Sequence, residues 1–455
     1  MRHLPAIFLC LLLVWVPLPF GSVTPWAVTV LVIAVGLAAM ASSFSGVSTS
    51  DLKVARGPLA ALFAVGALGL VQASSWAGRL FGTLSADLPE HLSGSARPSL
   101  SLVPSLSRQA AVGWWTLALL LAVSLVAARS RRARPLLLVA ALASAAFQAI
   151  YGLRQIRRSP GEIWGVLVGG PERFRGTLVV SDHLATFCTI LMAICLGWSW
   201  WAWRTSRREP RLARRLALLI PPVVAWGCAF AGVVVSGSRA GLAAAVVGLV
   251  FQTGLVARMG RNRWVPIALA LAILAGGWFV VSRGPAAHLG RQFSRPVHEI
   301  LTSERFAVWR PALGLWAESP VFGTGLGTFG EAFTRVQPVE IQGARWGRAH
   351  NDPLELLVTG GLVGFGLFGL ALVLLVRRLW KVYRTNGHLA VRASALAALL
   401  ALPPVALHEF FDFGLTIPAN AVFLTVLLGI GAAGPTAVEE GASPLPSSAW
   451  RRPPR

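Results

Sequence analysis

Charge is scarce in this chain: Asp, Glu, Lys and Arg make up 13% of its 455 residues, against 55% hydrophobic, and the mean hydropathy is +0.65. A water-soluble protein of this length needs far more charged surface, so a soluble fold is excluded and a polytopic membrane protein is indicated. Acidic residues are the scarcer sign, 18 against 41 Lys and Arg. Cysteine is rare as well. The four, Cys10, Cys188, Cys195 and Cys228, all fall inside apolar runs, which argues against a disulfide framework and a CxxC metal or redox site. No DxD, HExxH or GxxxxGK[ST] pattern occurs, so no metal or nucleotide cofactor is expected.

What the chain does have is apolar runs of about 17–25 residues, each long enough to cross roughly 30 Å of hydrocarbon. They lie at 4–20, 23–41, 58–75, 110–127, 135–152, 183–203, 216–235, 240–257, 264–282, 353–376, 389–407 and 417–433. The fold expected is an all-α bundle of about twelve transmembrane helices. The first run has no small-residue cleavage site after it and is read as an uncleaved span. The turns RSRRAR (129–134), RTSRREPRLARR (204–215), RMGRNR (258–263) and RRLWKVYR (377–384) are short and dense in Arg. This positive-inside pattern puts them, and both chain ends, in the cytoplasm. The net charge of +23 therefore reports topology and a lipid-bilayer setting rather than nucleic-acid binding. Most of the 18 Trp fall near span ends, as an interfacial belt does.

Three outward loops are longer than turns. Residues 76–109 carry little beyond Asp87, Glu90 and His91, whereas 153–182 carry Arg154, Arg157, Arg158, Arg173 and Arg175. Residues 283–352 are long enough for a small helical cap on the outer side. In it, Phe306, Trp309, Leu313 and Trp316 recur at helical spacing, which predicts an amphipathic helix kinked near Pro311, followed by the Gly-rich turn PVFGTGLGTFG (320–330). The tail 434–455 is Pro/Ala/Ser-rich and reads as disordered.

Several outer-face residues carry candidate chemistry. Arg239, in the tight turn SGSRAG (236–241), sits where a guanidinium is costly without a partner and where its planar fork suits phosphate oxygens. Snorkelling to lipid headgroups is the plainer account of it. Arg173 and Arg175 break the depletion of outer arginines that the positive-inside rule predicts. Arg305 and Arg310 flank Trp309 as surface charges or ring-stacking cations. In AHNDPLELL, Asn351 or Asp352 caps the helix that Pro353 opens; capping leaves His350 unexplained and makes it the candidate base. The cluster His408, Glu409 and Asp412 in HEFFD could hold a metal, but the interleaved Phe410 and Phe411 favour an interfacial anchor.

Four segments together resemble the O-antigen ligase / O-antigen polymerase family, over roughly residues 150–430. RFRGTLVVSDHLA (173–185) is similar to the family's Arg-x-x-Gly-Thr…Asn-His-Leu-Ala stretch, with Asp182 in place of the usual Asn. SGSRAG is similar to its Ser-x-Ser-Arg turn. The segment 303–330 is similar to its Ser-Gly-Arg…Trp…Pro…Gly-x-Gly loop, with Glu304 in place of Gly. AHNDPLELLVTGGLVG is similar to its His-Asn…Leu-Glu…Gly-x-x-Gly segment. The resemblance implies a GT-C-like membrane glycosyltransferase with N-terminal helices at 1–152 and a ligase-like core at 153–433. It implies an undecaprenyl-pyrophosphate-linked glycan donor, and as acceptor either a lipid A-core sugar or a growing glycan. It also implies an active site facing the periplasm from the bacterial inner membrane. On this reading His350 is the base. Arg173, Arg175, Arg239 and Arg305 hold the pyrophosphate, and Asn351, Glu355 and Arg310 support them. Ligase is favoured over polymerase; a flippase or exporter of the same carrier-linked glycan is the alternative of another class.

Overall fold

The computed structural model describes residues 3–44, 52–53, 55–82, 98–130, 132–168, 173–259 and 304–434. These form an all-α polytopic membrane fold with one two-residue hairpin. The helices are α1 Leu4–Trp15, α2 Pro25–Ser43, α3 Arg56–Gln72, α4 Ser75–Phe81, α5 Pro104–Ala127, α6 Ala133–Arg158, α7 Ser181–Ser206, α8 Leu212–Ser236, α9 Arg239–Met259, α10 Glu304–Glu318, α11 Phe329–Phe333, α12 Asp352–Thr385, α13 Leu389–Glu409 and α14 Pro418–Ala432. Strands β1 Glu162–Ile163 and β2 Val166–Leu167 pair antiparallel after α6.

Seven of these helices are long and apolar enough to cross a membrane, and an eighth span results if α3 and α4, bent by 80°, are counted together. The remaining expected runs within the described residues also coincide with helices, but shorter ones: α1, the apolar part of α9 and α14. The reasons are local. Pro17 and Pro19 follow α1 closely and cannot donate to it. At Ser74 the run 58–75 turns, and the Ser74 hydroxyl accepts the Ala77 amide to cap α4. The run 264–282, residues 283–303 of the expected cap, Asp87, Glu90, His91 and the tail from 435 lie outside the described residues.

The bundle is organised around α7, whose apolar window is 72% buried, against 28% for α2 and α8. Phe187 on α7 meets Phe423 on α14 edge to face at 4.8 Å. Small residues bring backbones close: Gly197 of α7 faces Ala393 and Ala397 of α13, and Gly431 of α14 faces Ala398, as is common where helices pack in lipid. Polar residues inside these helices bond back to their own backbone, Ser124 to the Leu120 carbonyl at 2.7 Å and Thr189 to that of Ala185 at 2.8 Å.

A second, smaller apolar core joins α10 and α11 to the start of α12. It contains Val308, Ala312, Leu315, Phe329, Phe333, Ile341, Ala349, Leu354 and Val358. The helix expected around Trp309 is therefore present and runs continuously through Pro311, but its buried face is shifted. Val308, Ala312 and Leu315 point inward, Trp309 and Trp316 flank them, and Leu313 is 47% exposed.

The expected span 353–376 is not one rod. Gly361 breaks α12 at φ +60°, ψ −167°, a conformation open to glycine. The amides of Leu362 and Val363 donate to the carbonyls of Pro320 and Val321, at 2.8 and 3.1 Å, while the carbonyls of Val358 and Thr359 accept from Thr324 and Gly325, at 2.9 and 3.0 Å. Gln72, at the end of α3, locks the same junction: Nε2 donates to the carbonyls of Phe322 and Thr359, and Oε1 accepts the Leu326 amide at 2.9 Å.

Candidate functional site

The start of α12 holds the candidate base in place. Asn351 caps the helix, its Oδ1 accepting the Leu354 amide at 2.9 Å, so Asn351 rather than Asp352 takes the role the sequence left open between them. Glu355, one turn in, reaches back over the preceding loop. Its Oε1 accepts from Arg348 Nη1 at 2.7 Å and its Oε2 from the Ala349 amide at 3.0 Å. From the other side Trp309 Nε1 donates to the Ala349 carbonyl at 3.2 Å. With residues 348 and 349 pinned on both flanks, His350 adopts φ +49°, a left-handed conformation that non-glycine residues take up only where surroundings impose it, and which clusters at functional sites.

The His350 ring is caged by Trp346 and by Phe413, edge to face at 5.5 and 4.7 Å. Its Nδ1 lies 3.6 Å from Asp412 Oδ1, with the His350 side chain 23% exposed and the Asp412 side chain 1%. Behind Asp412 stands His408, whose Nε2 is 4.0 Å from Asp412 Oδ2 and whose Nδ1 pairs with the Thr186 hydroxyl of α7 at 2.7 Å. His183 also packs edge to face with Phe413 at 4.7 Å. Burial alone would raise the Asp412 carboxyl, but His350, then His183, Arg305 and His408 outweigh it and hold the group well below the usual carboxylate range.

The sequence HEFFD thus divides differently from the anchor expected of it. Phe410 and Phe411 are exposed, whereas His408, Glu409 and Asp412 are buried. The cause is the end of α13 at Glu409: the chain turns there, and Glu409 Oε2 accepts the Leu415 amide at 2.9 Å, so the turn carries Asp412 inward behind the two phenylalanines. Both oxygens of Asp412 and both ring nitrogens of His183 are buried without a hydrogen-bond partner among the described residues.

Arg305, in the first turn of α10, joins this cluster through Asp182. Its Nη2 donates to Asp182 Oδ2 at 3.0 Å and its Nη1 to the Phe411 carbonyl at 2.8 Å. Asp182 is therefore an ion-pair partner, and Arg305 is oriented by it rather than stacked on Trp309. Arg239 opens α9 after a left-handed Gly237, with the Ser238 hydroxyl accepting the Gly241 amide at 3.0 Å. Gly241 packs on Ala185, which puts Arg239 at the same end of α7 as Asp182 and His183.

The remaining arginines stand differently. Arg175 is buried, donates to the Val179 carbonyl at 3.2 Å, and burial pushes its guanidinium below its ordinary value; it braces its own loop. Arg173 lines a small cavity of about 50 Å³ with Gln155, Ile156, Pro160 and Gly161 near the end of α6. Arg310 is exposed on α10. The structure thus brings His350, Asn351, Glu355 and Arg305 together, sets Arg239 on the adjoining turn, and places Arg173 and Arg175 on a loop packed against α6. It adds Asp182, Asp412, His408, His183 and Arg348. Among the described residues no group of three or more His, Cys, Asp or Glu is arranged to hold a metal ion.

Residues 223–369 match the family model described as O-antigen ligase. The match includes Arg239, Arg305, His350, Asn351 and Glu355; Asp412 and His408 fall beyond it. No curated protein matches the chain.

Proposed function

We propose that, as an enzyme of the O-antigen ligase and polymerase type, this protein transfers a glycan from an undecaprenyl-pyrophosphate carrier to a sugar hydroxyl, at the periplasmic face of the bacterial inner membrane. The observation that carries the reading is His350, held at φ +49° with Nδ1 turned to a buried carboxylate. A carboxylate 3.6 Å from Nδ1 favours the tautomer protonated there, which leaves Nε2 to accept a proton.

His350 Nε2 takes the proton of the acceptor hydroxyl, whose oxygen bonds to the anomeric carbon. The bond from that carbon to the pyrophosphate oxygen breaks, and the carrier pyrophosphate leaves with the electron pair. Attack opposite the leaving group inverts the anomeric centre. Asp412 stabilises the imidazolium as it forms. Arg239 and Arg305 meet the charge developing on the pyrophosphate, Arg173 extends that field towards the lipid, and Arg175 sets the loop on which Arg173 lies. Guanidinium groups supply the positive charge here, so transfer is expected to persist in EDTA. Asn351 and Glu355 position the base, and Arg310 faces the medium beside it.

Two acceptors fit the same donor grip. Attachment to lipid A-core makes the protein a ligase, the favoured reading, and attachment to another lipid-linked repeat makes it a polymerase. The test is the product in a deletion strain. Unattached long polymer on the carrier means ligase, and a single attached repeat means polymerase. Unpolymerised donor trapped on the cytoplasmic leaflet means a transporter and overturns the proposal. His350→Ala must remove most transfer while the protein stays in the membrane.

A further inference from the structure

At the end of the bundle away from His350, the last turns of α7 and α12 meet the first turn of α13. The buried ring of Trp200 is faced there by two guanidinium groups, Arg204 at 5.6 Å and Arg392 at 5.5 Å from its centroid. Arg392 also lies over Tyr383 at 5.4 Å, and its Nε donates to the Tyr383 carbonyl at 2.8 Å. Arg207 lies over Trp203 at 5.5 Å, and Arg384 over Trp380 at 5.6 Å. The rings touch in turn, Trp200 with Tyr383 at 6.2 Å and Tyr383 with Trp380 at 5.9 Å. Cations and rings therefore form one strip across three helix ends.

The ring faces attract each cation, but Arg204 and Arg392 share Trp200 and repel one another, and Arg207 and Arg208 add to the repulsion. Such a concentration of like charge, held on aromatic rings at helix ends, suits an anion at the level of the lipid headgroups. Apolar surface continues from it: Trp380 is 49% exposed, and on the same helix Val373, two turns earlier, and Leu370 are exposed at 48% and 50%.

We propose that this strip binds an anionic phospholipid, its phosphate between Arg204, Arg392 and Arg384 and its acyl chain along Leu370 and Val373. Guanidinium groups bond phosphate oxygens in pairs, and the shared chemistry with free phosphate is separated by the tail contact. The inference does not depend on the transfer reaction.

The test uses the full chain in an uncharged detergent, with phosphatidylglycerol, phosphatidylcholine and inorganic phosphate as probes. Native mass spectrometry and thermal unfolding are the readouts. Phosphatidylglycerol should be retained as an adduct and raise the melting temperature, whereas phosphatidylcholine and inorganic phosphate should do neither. Arg392→Gln and Arg384→Gln should each weaken phosphatidylglycerol binding roughly fivefold, following about 1 kcal/mol per basic residue. Arg384 is exposed, so that variant folds even if Arg392→Gln does not. Equal stabilisation by phosphatidylcholine, the full effect from inorganic phosphate alone, or unchanged binding in Arg384→Gln would each overturn the proposal.

Discussion

Replacing Asp412 by Asn keeps the shape of the side chain and removes its charge. Asp412 Oδ1 lies 3.6 Å from His350 Nδ1, where an effective dielectric near 20 gives an attraction of about 4–5 kcal/mol between carboxylate and imidazolium. That attraction exists only once His350 has taken a proton, so its loss falls on the transition state. At roughly 1.4 kcal/mol per tenfold the upper bound is about three decades in rate. His183, Arg305 and His408 also act on the carboxylate, which reduces the expected loss to roughly 10²–10³-fold. Asn can also hold the imidazole in the wrong tautomer, which acts in the same direction. The assay is transfer from lipid-linked donor to acceptor in membranes holding equal amounts of Asp412→Asn, His350→Ala, the double variant and the native protein. If the carboxylate works through the imidazole, the double variant is no slower than His350→Ala alone. A loss below about threefold in Asp412→Asn, or costs that multiply in the double variant, would refute the coupling.

Three further outcomes follow from the geometry. Glu355→Gln keeps one acceptor but loses the charge that holds Arg348 and cannot accept from both Arg348 and Ala349 as before; with about 1.5–3 kcal/mol of a charged hydrogen bond at stake, the melting temperature should drop and transfer should fall about tenfold. Gly361→Ala places a side chain at φ +60° against the Val321 carbonyl, and the strain alone costs about 1–3 kcal/mol. Thermal melting monitored by size-exclusion chromatography should show the loss. Because Asp412 is held below the usual range, its contribution to stability is fully present above the unfolded value of about 3.9 and is lost as pH falls through its lower folded value. Melting temperature should therefore fall with pH below about 4 in the native protein and fall less steeply in Asp412→Asn.

The helices were legible in the sequence because each apolar run is its own signal, and the lipid demands that backbone bonds close within it. Their ends were less so: the turn at Ser74 and the break at Gly361 depend on partners elsewhere in the chain. The same division runs through the site. His350, Asn351 and Glu355 share one short segment whose polarity stands out beside an apolar run. Asp182 and Arg305 are separated by 123 residues, and Thr186 and His408 by 222, and no periodicity joins residues so far apart. One signal was available in HEFFD: His408 and Asp412 stand at the end of an apolar run, and ionisable groups so placed turn to the bundle interior. The two phenylalanines between them drew the reading outward.

The break at Gly361 also limits how the chain can vary. In an unbroken helix the amides of Leu362 and Val363 would pair with the carbonyls of Val358 and Thr359; here residues 320–325 supply a partner to all four. Two strips of sequence, 320–325 and 358–363, are consequently stitched backbone to backbone, and neither can gain or lose a residue alone without breaking the four bonds between them. The chain between them is free of that restriction. Residues 334–340 can lengthen or shorten as long as Ile341 keeps its place in the cap core and Trp346 its place on the His350 ring, while the candidate base stays where the stitch puts it. During synthesis the strip 320–325 emerges first, and the candidate base is set only when α12 arrives to find its partner already made.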